Sequence, residues 1–166
     1  MRLRAAALLL LFLAAAGRPS AAAAPGSLAW RGWDEGLREA RERKRPVLVD
    51  VYTQWCGWCK RMDRDVYASP EVRDYLSRRF VTVKLDAEAA GPARYEDRDF
   101  TYRSLAGRFH VTGYPTTLFL RANGEQIISA PGYIPADRFL LVLRYIGEGA
   151  LDRGITWEDF RARQTR

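Results

Sequence analysis

The chain has 166 residues, of which 48% are hydrophobic and 12% aromatic, so it can form one domain with a sizeable core and is too apolar for a disordered chain. Its formal charge is +7, but residues 1–24 hold three arginines and no acid, and the remainder carries 24 basic against 20 acidic residues, or +4. Acids are interspersed among these basic residues, which argues against a nucleic-acid-binding protein. Two cysteines and one histidine are too few for a zinc ribbon or a disulfide-dense scaffold.

Residues 1–24 have the order of an export signal. A basic start precedes an apolar run at 5–16, and a Gly-Arg-Pro break leads into small residues at 20–24. This order is typical of a secretory signal peptide, and we expect cleavage after Ala22 or Ala23. The apolar run is 12 residues long, whereas a membrane-spanning helix needs about 20, so an uncleaved anchor is the less favoured alternative. We therefore expect an exported protein, periplasmic if its source is a Gram-negative bacterium.

The strands are predicted from short apolar or alternating runs that follow a linker at 25–29. They lie at 47–52, 80–85, 116–120 and 125–130. Asn-Gly between the last two is a strong signal for an antiparallel hairpin.

The helices are predicted from helical spacing of apolar residues and from capping signals. They lie at 30–43, 57–66, 70–79, 100–109 and 135–146, with a short terminal helix opened by a capping box at Thr156. Residues 87–99 lack apolar periodicity, and we expect them to form a loop.

This order of elements indicates an α/β fold. A parallel βαβ crossover and an antiparallel hairpin would form a mixed central sheet with helices on both faces. The predicted domain covers 30–149, followed by a short helical extension at 150–166.

The chemistry is concentrated at Trp55-Cys56-Gly57-Trp58-Cys59-Lys60, which directly follows an apolar strand and opens a helix. Unpaired amides and the positive dipole end at a helix start favour a thiolate, so we expect Cys56 to be exposed and reactive at the turn. Cys59, one turn further, is close enough to form a disulfide and should be better shielded. We expect Cys56 to attack a substrate disulfide and Cys59 to resolve the mixed disulfide.

Two structural interpretations compete with this redox role. A structural disulfide usually closes a long loop, whereas one over two residues constrains little of the unfolded chain. A zinc site needs about four ligands, and only His110, 51 residues after Cys59, is left to join the cysteines. We therefore expect a redox-active pair that carries the electrons itself, with no metal and no other cofactor.

Two segments resemble the thioredoxin superfamily. They are the strand and turn at 47–60 and Val111-Thr112-Gly113-Tyr114-Pro115-Thr116, and Gly132 after the hairpin is also similar. The stretch Cys-Gly-Trp-Cys-Lys-Arg-Met-Asp is most similar to secreted thioredoxin-like proteins related to the thiol-reductase domain of the bacterial disulfide interchange system. The resemblance runs from about Trp30 to Gly147. It implies a thioredoxin fold, exchange with protein disulfide substrates, and a membrane electron donor that recharges the pair.

The resemblance also implies roles for individual residues. Asp50, six residues before Cys56, corresponds to the buried acid that takes the proton of Cys59 and has a raised pKa. Pro115 corresponds to a cis-proline facing the cysteines. The remaining expected substrate-binding residues are Trp55, Gly57, Trp58 and Tyr114. The alternatives are an ordinary strand residue at Asp50, a trans-proline at Pro115 and a packing role for Trp55.

The chain departs from thioredoxin at three places. Trp58 stands where thioredoxin has proline. Thr82 stands where a lysine usually lies near the buried acid, and Lys84, on the same strand face, is a candidate substitute. The interval from Asp86 to Pro115 is 29 residues, longer than usual. Its surplus at 87–103 would be either a partner-recognition segment or a solvated insertion.

The expected function is that of an exported thiol–disulfide oxidoreductase acting as a reductant. Trp58 adds no positive charge that would stabilise a thiolate and make the pair a strong oxidant, which favours the reducing direction. One alternative is a disulfide oxidase or isomerase. The other is a binding or chaperone-like module without turnover, in which Trp55, Trp58 and Tyr114 form an apolar docking surface.

Overall fold

The structure is a computed structural model and describes residues 28–164. Within this range the strands are β1 (Trp30–Arg31), β2 (Val47–Tyr52), β3 (Val81–Asp86), β4 (Pro92–Tyr95), β5 (Arg98–Thr101), β6 (Thr116–Leu120) and β7 (Gln126–Pro131). The helices are α1 (Trp33–Arg43), α2 (Gly57–Met62), α3 (Pro70–Arg79), α4 (Tyr102–Arg108), α5 (Ala136–Gly147) and α6 (Trp157–Gln164). A π-helical turn, Asp63–Tyr67, continues α2.

A five-stranded mixed sheet forms the centre of the molecule, in the order β1-β3-β2-β6-β7. β3 pairs in parallel with β1 and β2, while β6 pairs antiparallel with β2 and β7. The turn between β6 and β7 contains Gly124, whose φ of 95° is a conformation that glycine adopts easily. The predicted mixed sheet and its hairpin are therefore confirmed.

Alternation along β2 divides the core into two layers. Val47, Val49 and Val51 pack with residues of α1 and α4 on one face of the sheet. Leu48 packs on the other face with residues of α2, α3, α5 and α6. Helices thus cover both faces, as predicted, and β2 is buried between them as its near-continuous apolar run requires.

The first helix begins later than predicted. Trp30 and Arg31 form β1 and pair with Thr82 and Val83, so α1 starts at Trp33 instead of Trp30. The edge of β3 offers hydrogen bonds to this segment, and this tertiary partner overrides the local helical pattern.

The prediction of a loop at 87–99 is wrong, because this region contains the β4–β5 hairpin. Its tip, Glu96-Asp97, adopts positive φ values of 49° and 58° without a glycine, so the usual turn signal is missing. The hairpin packs against α1: the Tyr95 ring meets the Trp33 ring edge-on at 5.7 Å, and Trp33 Nε1 donates to the carbonyl of Arg94 at 3.1 Å.

The helix expected at 100–109 is shortened by the same hairpin. β5 extends to Thr101, and α4 begins at Tyr102. Thr101 and Ser104 form a capping box there, because each side chain bonds the backbone N–H of the other.

The predicted terminal helix is present as α6. Thr156 Oγ1 accepts a hydrogen bond from the N–H of Asp159 at 3.1 Å. Phe160 is buried, and its ring lies 5.3 Å from that of Tyr145 in α5. The C-terminal extension therefore contributes to the core layer that contains Leu48.

The predicted signal peptide at 1–24 lies outside the described residues, as do the first residues of the predicted linker. Among the helices described over 28–164, none combines the length and apolarity needed to cross a membrane.

Candidate active site

Cys56 and Cys59 form a disulfide at the start of α2, with their Cα atoms 5.3 Å apart. Cys56 is the N-cap of this helix, and its Sγ accepts a hydrogen bond from the N–H of Cys59 at 3.0 Å. The amides at a helix start have no partner within the helix, and this one is directed at sulfur. The same geometry would stabilise negative charge on Cys56 once the disulfide opens.

The expectation that Cys56 is exposed is wrong for the oxidised form. Cys56 is 4% exposed and Cys59 is 2% exposed, so shielding hardly distinguishes them. The disulfide and the amide contact hold Cys56 Sγ against the helix start. The exposed groups are the neighbouring aromatic side chains, Trp55 at 67% and Trp58 at 54%.

Asp50 lies in the middle of β2 on the sheet face that α2 covers, and it is fully buried. Its Oδ2 is 2.5 Å from Nζ of Lys84, the residue opposite it on β3. Burial raises the pKa of Asp50 above its ordinary value of 3.8, against the opposing attraction of Lys84. The position and the direction of this shift agree with what the resemblance implies.

Lys84 connects the buried Asp50 to a second acidic residue, Asp63. Its Nζ also lies 2.5 Å from Oδ1 of Asp63, in the π-helical turn, and the Asp63 side chain is 48% exposed. Burial alone lowers the pKa of Lys84, but its contacts with Asp50 and Asp63 outweigh this effect and the pKa is raised. Lys84 therefore stays protonated. It lies beside the buried acid, in the role for which it was a candidate in the sequence.

Further polar groups that the sequence did not single out lie on the same sheet face. Thr117 is opposite Asp50 on β6, and Tyr67 is buried at the end of the π-helical turn. Burial, followed by the charge of Asp50, raises the pKa of Tyr67 well above its ordinary value of 10.0. Asp50 is thus surrounded by polar groups from β3, β6 and the π-helical turn.

Asp63 and Tyr67 were missed by the sequence analysis. A spacing signal did exist, because Asp63 follows Cys59 by four residues and Tyr67 follows Asp63 by four. On one helix, residues at this spacing share a face.

The peptide bond between Tyr114 and Pro115 is cis, as predicted. Pro115 directly precedes β6, whose first residue, Thr116, pairs with Val51 near the end of β2. The cis-proline and the cysteines therefore lie at the same end of the sheet. The N–H of Gly132 donates to the carbonyl of Pro115 at 2.8 Å, which ties this segment to the strand that follows the hairpin turn.

The aromatic groups beside the disulfide have different partners on its two sides. Trp55 meets Tyr114 edge-on at 6.1 Å, and its Nε1 donates to Oε2 of Glu88 at 3.0 Å. Trp58 lies 5.5 Å from the ring of Tyr133. Gly57 between them is exposed, and a Cβ added there would meet no atom within 4 Å, so no steric requirement for glycine exists at this position.

His110 is exposed and has a positive φ of 55°. Among residues 28–164, no group of three or more His, Cys, Asp or Glu side chains is arranged to hold a metal ion.

This fold, with a disulfide capping a helix at the end of the sheet that carries a cis-proline, defines a thioredoxin-like protein. The thioredoxin-like domain family matches residues 33–147, and the chain belongs to this family of thiol–disulfide oxidoreductases. The resemblance seen in the sequence is thereby confirmed.

Named relatives agree with this assignment. The thiol:disulfide interchange protein DsbD of Ralstonia nicotianae is 36% identical over 112 residues, which make up 67% of this chain and 17% of that protein. The disulfide bond reductase DsbH of Chlamydia pneumoniae is 28% identical over 111 residues, 66% of this chain and 64% of DsbH. The chain therefore spans less than two thirds of either relative.

A solved thioredoxin-fold protein from Helicobacter pylori has a TM-score of 0.65 and 23% identity, covering 73% of this chain and 80% of that one. At this identity the similarity supports the fold.

Proposed function

We propose that this protein is an exported reductant of protein disulfides. The observation that carries the proposal is the Cys56–Cys59 disulfide at the start of α2, with an amide directed at Cys56 Sγ. The reducing direction is supported by the residue between the cysteines, since the Trp58 side chain is itself uncharged, and by the relatives named as an interchange protein and a reductase. Export is supported by the order of residues 1–24.

The reaction proceeds in two exchange steps. In the reduced protein, the Cys56 thiolate attacks one sulfur of the substrate disulfide, and the other substrate sulfur leaves as a thiolate and takes a proton. Cys59 then loses its proton and attacks Cys56 Sγ, which releases the second substrate thiolate. The substrate gains two electrons and two protons, and the protein is left with the Cys56–Cys59 disulfide.

Asp50 takes the proton of Cys59 in this proposal. A carboxylate at 0% exposure with a raised pKa is a stronger base than an ordinary aspartate and is suited to accept this proton. Trp55, Gly57, Trp58, Tyr114 and Pro115 form the surface on which the substrate binds. The pair itself holds the two electrons, so the reaction requires no other cofactor, and a membrane dithiol donor would reduce the pair after each cycle.

The two-step mechanism is tested by trapping. We expect Cys59→Ser to accumulate a mixed disulfide between Cys56 and substrate, because the resolving thiol is gone. The matched variant Cys56→Ser should trap nothing. Non-reducing gel electrophoresis after incubation with oxidised protein substrate measures both, and equal absence of adducts would contradict the mechanism.

The direction is tested by equilibrating the pair with glutathione. A potential near about −270 mV supports a reductant, whereas one near about −120 mV supports an oxidase. Insulin reduction by dithiothreitol that is no faster with the wild-type protein than with a Cys56→Ser, Cys59→Ser variant would instead favour a binding module, for which the exposed Trp55 and Trp58 offer a surface.

A further inference from the structure

The side of the disulfide that carries Trp58 is both aromatic and positively charged. Arg61, one helical turn after Trp58, places its guanidinium carbon 5.2 Å from the centre of the Trp58 ring and 5.3 Å from that of Tyr133. Both distances are within the range of cation–π attraction. We call Trp58, Arg61 and Tyr133 the basic aromatic corner.

The corner keeps a net positive charge. Arg61 Nε bonds Asp65 at 3.1 Å, but Arg64 bonds the same carboxylate at 2.8 Å. Hydrogen bonds from Arg64 first, and then from Arg61, lower the pKa of Asp65, so one carboxylate serves two guanidinium groups. Lys60 is exposed, and no acidic side chain within residues 28–164 lies at ion-pair distance from it.

The corner is accessible to a partner. Trp58 is 54% exposed, and the Arg61 side chain is 50% exposed. Gly57, Trp58 and Arg61 line a shallow cavity of about 210 Å³. Tryptophan, tyrosine and arginine are the residue types that contribute most binding energy at protein interfaces.

The opposite side of the disulfide has the reverse charge. Glu88 accepts the bond from Trp55 there, so the two exposed tryptophans carry partners of opposite sign. A substrate segment with a carboxylate beside its disulfide would be attracted to the corner and repelled from Glu88. The charge arrangement thus distinguishes acidic from basic segments.

We propose that the basic aromatic corner binds a carboxylate-bearing polypeptide segment next to the partner's disulfide, with Arg61 as the residue that determines this preference. The inference rests on the proposed exchange reaction and adds the chemistry of the substrate. The aromatic rings hold the guanidinium in place, so less side-chain freedom is lost on binding.

The test uses the reduced full chain and two synthetic peptides of equal length, each closed by one disulfide. Glu flanks the disulfide in one peptide and Lys in the other. We expect the acidic peptide to be reduced about tenfold faster at low salt, and this ratio to fall to about twofold in about 0.5 M salt because exposed charges are screened.

Two variants separate a specific contact from overall charge. Arg61→Met and Arg64→Met each remove one positive charge that pairs with Asp65, but only Arg61 lies over the aromatic rings. We expect Arg61→Met to lower the preference to about twofold and Arg64→Met to keep at least half of it, since rim charges mainly act at long range. Equal losses in both variants, or a wild-type protein without the preference, would overturn the inference.

A small neutral disulfide, bis(2-hydroxyethyl) disulfide, separates this inference from the proposed function. A wild-type protein that cannot reduce it refutes the exchange reaction itself. Reduction of this compound without a preference for the acidic peptide refutes only the role of the corner.

Discussion

At Asp50, two opposing effects act on one carboxylate. Burial raises its pKa, while Lys84 at 2.5 Å favours the ionised form. Burial is the larger effect, so the folded protein holds this proton more tightly than the unfolded chain. Stability from this group is complete below the ordinary pKa of 3.8 and is lost as the pH rises through the raised pKa.

We therefore predict that Asp50→Asn slows the resolving step and stabilises the protein at neutral pH. General bases contribute about 100-fold or more to proton transfer, and a loss of about 100-fold is expected here. Single-turnover kinetics against pH measures the rate: the wild-type resolving rate should rise with pH through the raised pKa, whereas that of the variant should not.

Urea unfolding provides the second measurement for Asp50→Asn. The variant should be more stable than wild type at pH 7, and the difference should vanish below the ordinary pKa. Asp74→Asn, which removes an exposed carboxylate of α3 paired with Arg78, should change neither quantity. A resolving rate with the same pH dependence in Asp50→Asn and wild type would refute the role of Asp50.

Lys84 is predicted to stabilise the ionised form of its buried partner. Removing Lys84 would leave the Asp50 carboxylate buried without a cation, and such an uncompensated buried charge costs about 3–5 kcal/mol. The reverse does not hold, because Lys84 without Asp50 is still paired with Asp63. The Lys84 side chain is 20% exposed, so we expect Lys84→Met to cost about 3 kcal/mol at pH 7, the lower end of that range. The loss should shrink as the pH falls, because protonated Asp50 no longer needs a cation.

Urea unfolding at several pH values checks this prediction. Lys60→Met, which removes an exposed lysine of α2, is the matched control and should shift stability by no more than about 0.5 kcal/mol. A pH-independent loss in Lys84→Met would mean that the side chain acts by packing alone.

Site residues were predictable where they are fixed by chain spacing. Cys56 and Cys59 are set by one turn of helix, and Asp50 by the strand before it. The pairing of Asp50 with Lys84 depends on the register between β2 and β3. Local sequence does not determine this register, so Lys84 could be identified only as a candidate partner. Tyr67 contributes through tertiary burial, which no local pattern contains.

At the scale of elements, the β4–β5 hairpin is the feature that sequence analysis failed to find. Its strands are four residues each, and its turn lacks glycine. The signal available was alternation, because Ala93 and Tyr95 face the core while Arg94 faces solvent. The longer strand β2 could be predicted without a turn signal, because burial on both faces gives it a nearly continuous apolar run.

The hairpin is predicted to be part of the core and not a solvated insertion. Tyr95 is 8% exposed and contacts the rings of Trp33 and Phe109 at 5.7 and 5.0 Å. Truncating a buried aromatic residue costs about 3–5 kcal/mol, so Tyr95→Ala should destabilise the protein by about 3 kcal/mol.

Asp99→Ala on β5 is the control, because its ion pair with Arg94 is exposed and should contribute at most about 1 kcal/mol. Chemical denaturation of both variants measures the difference. Comparable small losses in the two would show that the hairpin is attached to the core without stabilising it.

The π-helical turn after α2 is the other element with functional consequences. Such turns occur often at functional sites. Here the turn supplies both Asp63, at the surface beside Lys84, and Tyr67, buried near Asp50. The π-helical turn therefore supplies both an exposed and a buried side chain to the cluster of polar residues around Asp50 and Lys84.

At the scale of the whole molecule, the redox state is coupled to folding. A dithiol that readily gives up electrons must leave the folded protein more stable in its oxidised form. A disulfide that closes so short a loop contributes about 2 kcal/mol in the chain-entropy model. We predict that the oxidised protein resists urea better than the reduced protein by about this amount.

Unfolding curves with and without dithiothreitol measure the difference. The Cys56→Ser, Cys59→Ser variant should give one curve under both conditions. A reduced protein that is the more stable form would indicate an oxidase, because a disulfide whose reduced form is stabilised accepts electrons strongly.

The two edge strands of the central sheet affect whether folded molecules associate at high concentration. β1 offers only two residues for pairing, and β7 ends at Pro131 after an irregularity in its register with β6. A very short edge strand, a proline and an irregular register each hinder the addition of a strand from another molecule. Self-association through the sheet is thus disfavoured, even though the protein exposes two tryptophans beside its disulfide.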